Sequence, residues 1–138
     1  MSAHGQRWIG VLAIEGVPTE GADGRLIEPE AITWTDRPMP LPLLHRPEAG
    51  DPEFMTVCGS IDHVQRVGSE LRASGHYWGP RVPDHTQQPV AVQVLIDSEH
   101  VGNERVTLRA GRLLGATLVD HALWPEVYIT IGDGGADD

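Results

Sequence analysis

Phe54-Met55-Thr56-Val57-Cys58-Gly59-Ser60-Ile61, continuing with a bend through Asp62 to Val67, reads as one strand. Gly68-Ser69 then turns the chain back into Leu71-Arg72-Ala73-Ser74-Gly75-His76-Tyr77. Two residues between two alternating runs are the signature of a β-hairpin, because a primed turn matches the twist of the strands it joins. A hairpin in the middle of a chain needs further strands, since two alone do not bury enough apolar surface to persist in water.

Working outward, the same kind of segment recurs on both sides. Trp8 to Ile14 reads as a first strand, and Arg25 to Trp34 as a semi-extended segment with one helical turn near Pro29-Glu30-Ala31. Pro38-Met39-Pro40-Leu41-Pro42-Leu43-Leu44 is extended by necessity, each proline fixing φ and biasing its predecessor away from helix. Val90 to Ile96 is a largely apolar strand, followed by Arg105 to Ala110, Arg112 to Val119 and Val127 to Ile131. With 16 glycines and 11 prolines as punctuation, long helices are disfavoured. The expectation is a mainly β fold of roughly eight short strands, closed into a small barrel that hides its edges, with short helical turns.

The 138 residues suffice for one core and not for two. The expected organisation is a flexible start over 1–6, a single domain over 7–131 with 38–44 as an extended arm, and an acidic disordered tail over 132–138. No run of about 18 apolar residues is present to cross a bilayer as a helix, and the start lacks the apolar core of a signal peptide. The protein is expected to stay where it is made. The net charge of −10 disfavours nucleic acid as a partner. All ten basic residues are arginine, which suits planar, bidentate contacts at protein interfaces. The single cysteine, Cys58, sits among apolar neighbours and reads as a buried, inert thiol. Histidines at 4, 45, 63, 76, 85, 100 and 121 show no metal-binding spacing, so neither metal nor cofactor is expected. Of the four tryptophans, Trp8 and Trp34 read as core, and Trp78, in a Tyr-Trp-Gly-Pro loop, as an exposed contact residue.

Several phrases in order resemble the capsid-maturation (prohead) proteases of tailed phages. They are Trp8 to Thr19, Asp23 to Ile27 and Ala31 to Trp34; Pro38 to Leu43; Val57-Cys58-Gly59-Ser60-Ile61-Asp62; and Leu114 to Val119 followed by Ala122 to Glu126. The similarity spans about residues 7 to 131, and it implies an assemblin-like barrel. It also implies where catalytic groups would stand, and there this chain departs. A serine protease needs a hydroxyl nucleophile, a histidine to take its proton, a group to orient the histidine and an oxyanion hole. Where the family has its histidine, this chain has Asp51-Pro52-Glu53; in its Gly-Val-Ser-Val strand the counterpart is Pro89-Val90-Ala91-Val92, with Ala91 in the place of the serine. The helical stretch before that strand is reduced to Gly79 to Gln88.

The resemblance therefore implies a virion structural protein, a minor capsid or decoration protein, that uses a catalytically dead barrel to bind capsid subunits after assembly in the host cytoplasm. Expected partners are the major capsid protein or other virion proteins, with a homo-oligomer as a further state. Partner contacts are expected at Trp78 and at Pro40, Leu41 and Pro42, since an exposed extended segment can add to a partner's sheet or groove. Two alternatives stand beside this reading. One is an active maturation protease with rearranged residues, Ser98 served by His63 or His121; the other is a non-catalytic assembly factor absent from the finished particle.

Overall fold

The computed structural model describes residues 5–19, 24–35, 41–45, 56–103 and 105–132. Among the described residues nine strands form one sheet: β1 (Gln6–Ile14), β2 (Arg25–Ile27), β3 (Ile32–Thr33), β4 (Leu41–His45), β5 (Thr56–Val67), β6 (Glu70–Tyr77), β7 (Thr86–Val101), β8 (Val106–Leu118) and β9 (Tyr128–Ile131). Seven of them close a ring in the order β8-β4-β5-β6-β1-β9-β7, with β7 pairing back onto β8. The mainly β, barrel-like expectation holds, and closure leaves the ring without edges.

The hairpin forms as read. Val67 pairs with Glu70 across Gly68-Ser69, and Gly68 adopts φ 61 at the first turn position, which a glycine takes without a Cβ clash. Alternation along β6 sends Leu71, Ala73 and Tyr77 inward to meet Trp8, Leu12, Ile61, Ile129 and Ile131. Trp8 is fully buried, and its indole N–H donates to the carbonyls of Ser60 and His76 at 3.1 Å each. The largest core side chain thus keeps its one polar atom satisfied.

Several expectations need correcting. Arg105 to Ala110 and Arg112 to Val119 are not two strands but one, β8, running straight through Gly111. A Cβ at 111 would overlap Val94 Cγ1, so this glycine marks a close approach of two strands and not a break. The proline-rich segment is not a free arm. Leu41 to His45 is β4, paired antiparallel to β5 on one edge and parallel to β8 on the other. Pro42 is tolerated because β8 pairs with β4 only from Leu43 onward, and Leu43 is fully buried. Residues 38–40 lie outside the described residues. The helical turn at Pro29 is a hydrogen-bonded turn closed by Ala31 N–H to Glu28 O at 3.0 Å, with Glu30 at φ 67. That is a type II turn with proline at its second position, and no helix occurs among the described residues.

The residues at the two ends of the described chain are tied into the barrel. Gln6 is buried and exchanges two hydrogen bonds with the Val82 backbone, at 2.8 and 3.0 Å. Gly132 donates to the Arg7 carbonyl at 2.6 Å. Residues 1–4 and 133–138 lie outside the described residues.

β8 organises the rest. Its 13 residues offer one edge in succession to β2, β3 and β4, all parallel to it, and the other edge to β7. β9 covers the outer edge of β7 only from Thr86 to Pro89. Val90 to Val92 still pair with the part of β8 that β4 holds in the ring; beyond them β7 and β8 continue as a ribbon, flanked on the β8 side by β3 at Gly111 and Arg112 and by β2 at Val106 to Leu108.

Candidate functional site

The residues proposed for catalysis are not brought together. Ala91 lies in β7 opposite Thr117 of β8. Ser98 is exposed on the ribbon opposite Ala110. His63 is exposed on β5 opposite Ser74, and β4 and β8 stand between its strand and β7 in the ring. His121 is exposed in the segment after β8. Among the described residues, no hydrogen bond links Ser98 to either histidine, and the groove lined by His63 and the one lined by His121 both exclude Ser98.

A different serine, aspartate and histidine do meet. The β5–β6 register shifts between Ile61 and His63, leaving Asp62 as an extra residue in the ladder. Its carboxylate accepts from Ser60 Oγ at 2.6 Å through one oxygen and from His76 Nδ1 at 2.6 Å through the other. Ser60 and His76 are directly cross-strand. The connectivity is wrong for nucleophilic catalysis: the carboxylate is the hub, and the hydroxyl proton points at it instead of at the imidazole. The group ties the bulge to β6, and Ser60 is itself buried.

A second polar group missed in the sequence is Glu15 with Arg66. Glu15 follows β1 directly and its side chain is 2% exposed. Arg66 Nε and an Nη donate to its two oxygens at 2.6 and 2.9 Å, and the backbone N–H of Glu30 donates at 3.1 Å. The guanidinium also lies 5.1 Å from the Trp34 ring centroid. Its hydrogen bond to Glu15 raises the Arg66 pKa further, burial opposing. Nothing in the local pattern marks Glu15 as different from a carboxylate in a turn. Only the fold places Arg66, 51 positions later, on top of it.

Cys58 is buried as expected, and burial pushes its pKa up to about 11, with its backbone hydrogen bond pulling the other way. Because the folded state holds the thiol proton more tightly, this group adds stability below pH 9.0 that fades as pH climbs towards 11. At pH 8 the native thiol should therefore be labelled at least about 100-fold more slowly than the unfolded one. Time courses with a chromogenic disulfide, with and without denaturant, check this; equal rates would mean that Cys58 is open to solvent.

What remains is surface chemistry suited to binding. Trp8 and Trp124 are buried and Trp34 packs against the core, whereas Trp78 is 53% exposed. The Trp78 backbone N–H reaches the Cys58 carbonyl, which sets it at the same end of the β5–β6 pair as Val57, also exposed. Pro42 and Leu41 are half-buried in β4, so they are less available than expected, and Pro40 lies outside the described residues. The ribbon exposes Leu95, Ile96 and Val101. Where it leaves the ring there is an apolar cavity of about 250 Å³, lined by Leu12, Val90, Val94, Ile96, Leu108 and Trp124 among others. Among the described residues no group of three or more potential metal ligands occurs, and no helix is long and apolar enough to cross a membrane.

No protein-family model, no curated protein and no solved structure matches this chain.

Proposed function

We propose that this chain is a phage virion protein, a minor capsid or decoration protein that binds capsid subunits without catalysis. The observation that carries the reading is Trp78, a large aromatic left 53% exposed at one end of a closed barrel. Tryptophan loses little conformational entropy on binding and is over-represented at interface hot spots. The resemblance of residues 7–131 to maturation proteases supplies the partner, since such a protease already recognises the capsid precursor. Ala91, at the position the resemblance gives to the nucleophile, offers no hydroxyl. That is a fold-level analogy joined to a surface, and the surface is the part open to direct test.

The test is the copy number of this chain relative to the major capsid protein in purified particles, measured by quantitative mass spectrometry. A simple ratio fixed by capsid symmetry is expected. Trace fragments or none would replace this reading with that of an assembly factor or protease, and Ser98→Ala would then separate those two by its effect on head maturation. If the ratio is simple, Trp78→Ala should lower occupancy on particles at least about 10-fold, as losing a hot-spot aromatic does, with the thermal unfolding curve unchanged.

A further inference from the structure

The outer edge of β7 beyond Pro89 meets no strand among the described residues. An unpaired strand edge is a row of free N–H and C=O groups, and natural proteins blunt such edges with charged residues, proline, bulges or a covering element. The proline of this edge stands where β9 stops, and its charges and the bulge in β7 begin only at Asp97, so Val90 to Ile96 carries none of these. Near its middle it carries Val94-Leu95-Ile96, with Leu95 45% and Ile96 54% exposed.

We infer that this edge pairs with the same edge of a second copy of the chain, antiparallel about a two-fold axis at Leu95. The sequence is self-complementary in that register. Leu95 faces Leu95 of the second copy, Val94 faces Ile96 in both directions, and Gln93 faces Asp97. Charge disfavours two of its competitors, and only the axis at Leu95 sets the exposed Leu95 against its own copy. Parallel in-register pairing would set Asp97 against Asp97 and Glu99 against Glu99 at about 5 Å. An axis moved to Asp97 would do the same for that residue. With the axis at Leu95, the two Asp97 residues stand four positions apart along the strands, about 13 Å. That exceeds the screening length of about 8 Å at physiological salt. The shift in the β7–β8 register between Ile96 and Ser98 then ends the pairing beside Asp97.

The cavity points to the same occupant. Val94 and Ile96 line it from β7, so their counterparts in the second copy would lie alongside on the same face and extend its apolar wall. The resulting contact would join two β2-β8-β7 ribbons into one sheet. It leaves Trp78, on the β5–β6 side of the ring, free for the binding proposed above.

Sedimentation equilibrium of the full chain should give a dimer, and Leu95→Asp a monomer with an unaltered circular dichroism spectrum. Disulfide trapping reads the register directly. Residues opposite each other in an antiparallel pair have Cα atoms about 4.5–5.5 Å apart, within disulfide range. Leu95→Cys should thus oxidise to a covalent dimer, whereas Leu114→Cys, equally exposed at 45% but on β8, should not. The buried Cys58 does not compete. A wild-type monomer overturns the inference, as does trapping of Leu114→Cys as fast as Leu95→Cys. So does a monomer whose Leu95→Asp variant loses particle binding, which would give the edge to a capsid strand. The copy-number ratio and Trp78→Ala are independent of all of these outcomes.

Discussion

Arg66→Ala should lower the free energy of unfolding by about 3 kcal/mol. Removing one partner of a buried pair leaves the other charge in a poor solvent, which costs about 3–5 kcal/mol. The lower end applies here because the Arg66 side chain is 25% exposed, so water can partly replace it, while Glu15 at 2% is not reached otherwise. The loss goes beyond one ion pair. Glu15 also accepts from Glu30, and Arg66 stacks on Trp34, so the segment between β2 and β3 is clasped to the end of β1 through these two side chains. Urea denaturation measures the effect as a fall in midpoint at constant slope. Adding Glu15→Gln, which keeps an acceptor but removes the stranded charge, should recover part of the loss in the Arg66→Ala background. A double variant no more stable than Arg66→Ala alone would show that packing on Trp34, and not charge, carries the energy.

Gly75→Ala should cost at least about 3 kcal/mol, at or beyond the usual upper limit for overpacking. A Cβ there would overlap the Ser60 carbonyl oxygen and sit 3.0 Å from Trp8 Cζ2. The first contact is with backbone of the paired strand, which cannot move without opening the β5–β6 ladder. The second is with the core tryptophan, whose N–H bonds the same Ser60 oxygen at 3.1 Å. Gly68→Ala is the control. Nothing lies within 4 Å of a Cβ at 68, so only its φ of 61 opposes the substitution, at about 1 kcal/mol. Comparable losses at the two sites would mean that backbone preference, not crowding, sets the need for glycine at 75.

These two cases also show where the sequence stops being informative. The hairpin was legible because its signal is local: alternation, then Gly68-Ser69, then alternation again. The inward tryptophan Trp8 and the outward Trp78 were legible from their neighbours. Glycine was ambiguous, since Gly68 turns the chain while Gly111 admits Val94 from a neighbouring strand, and both read alike along the chain. Pro42 announced extended backbone correctly. That the segment is a barrel strand depends on β8, over 60 positions away, and long-range pairing leaves no local trace. The Glu15–Arg66 clasp and the Ser60–Asp62–His76 group failed to show for the same reason. The candidate catalytic residues Ser98, His63 and His121 were assembled from chemistry alone, and the ring keeps them on separate elements.

The position of β8 in the chain has a consequence for how the molecule is made. Three segments synthesised early, β2, β3 and β4, all dock along a strand that spans 106–118, and β1 waits for β9 at 128–131. Before β8 emerges from a ribosome, the ladders that can form are β4–β5, the β5–β6 hairpin and the pairing of β6 with β1. The closing contacts are therefore of high sequence separation, which places folding on the millisecond-to-second scale. A half-made chain carries open strand edges through most of its synthesis. Lowering the translation rate should then lengthen that exposed interval and reduce soluble yield, whereas co-expressed chaperones should restore it.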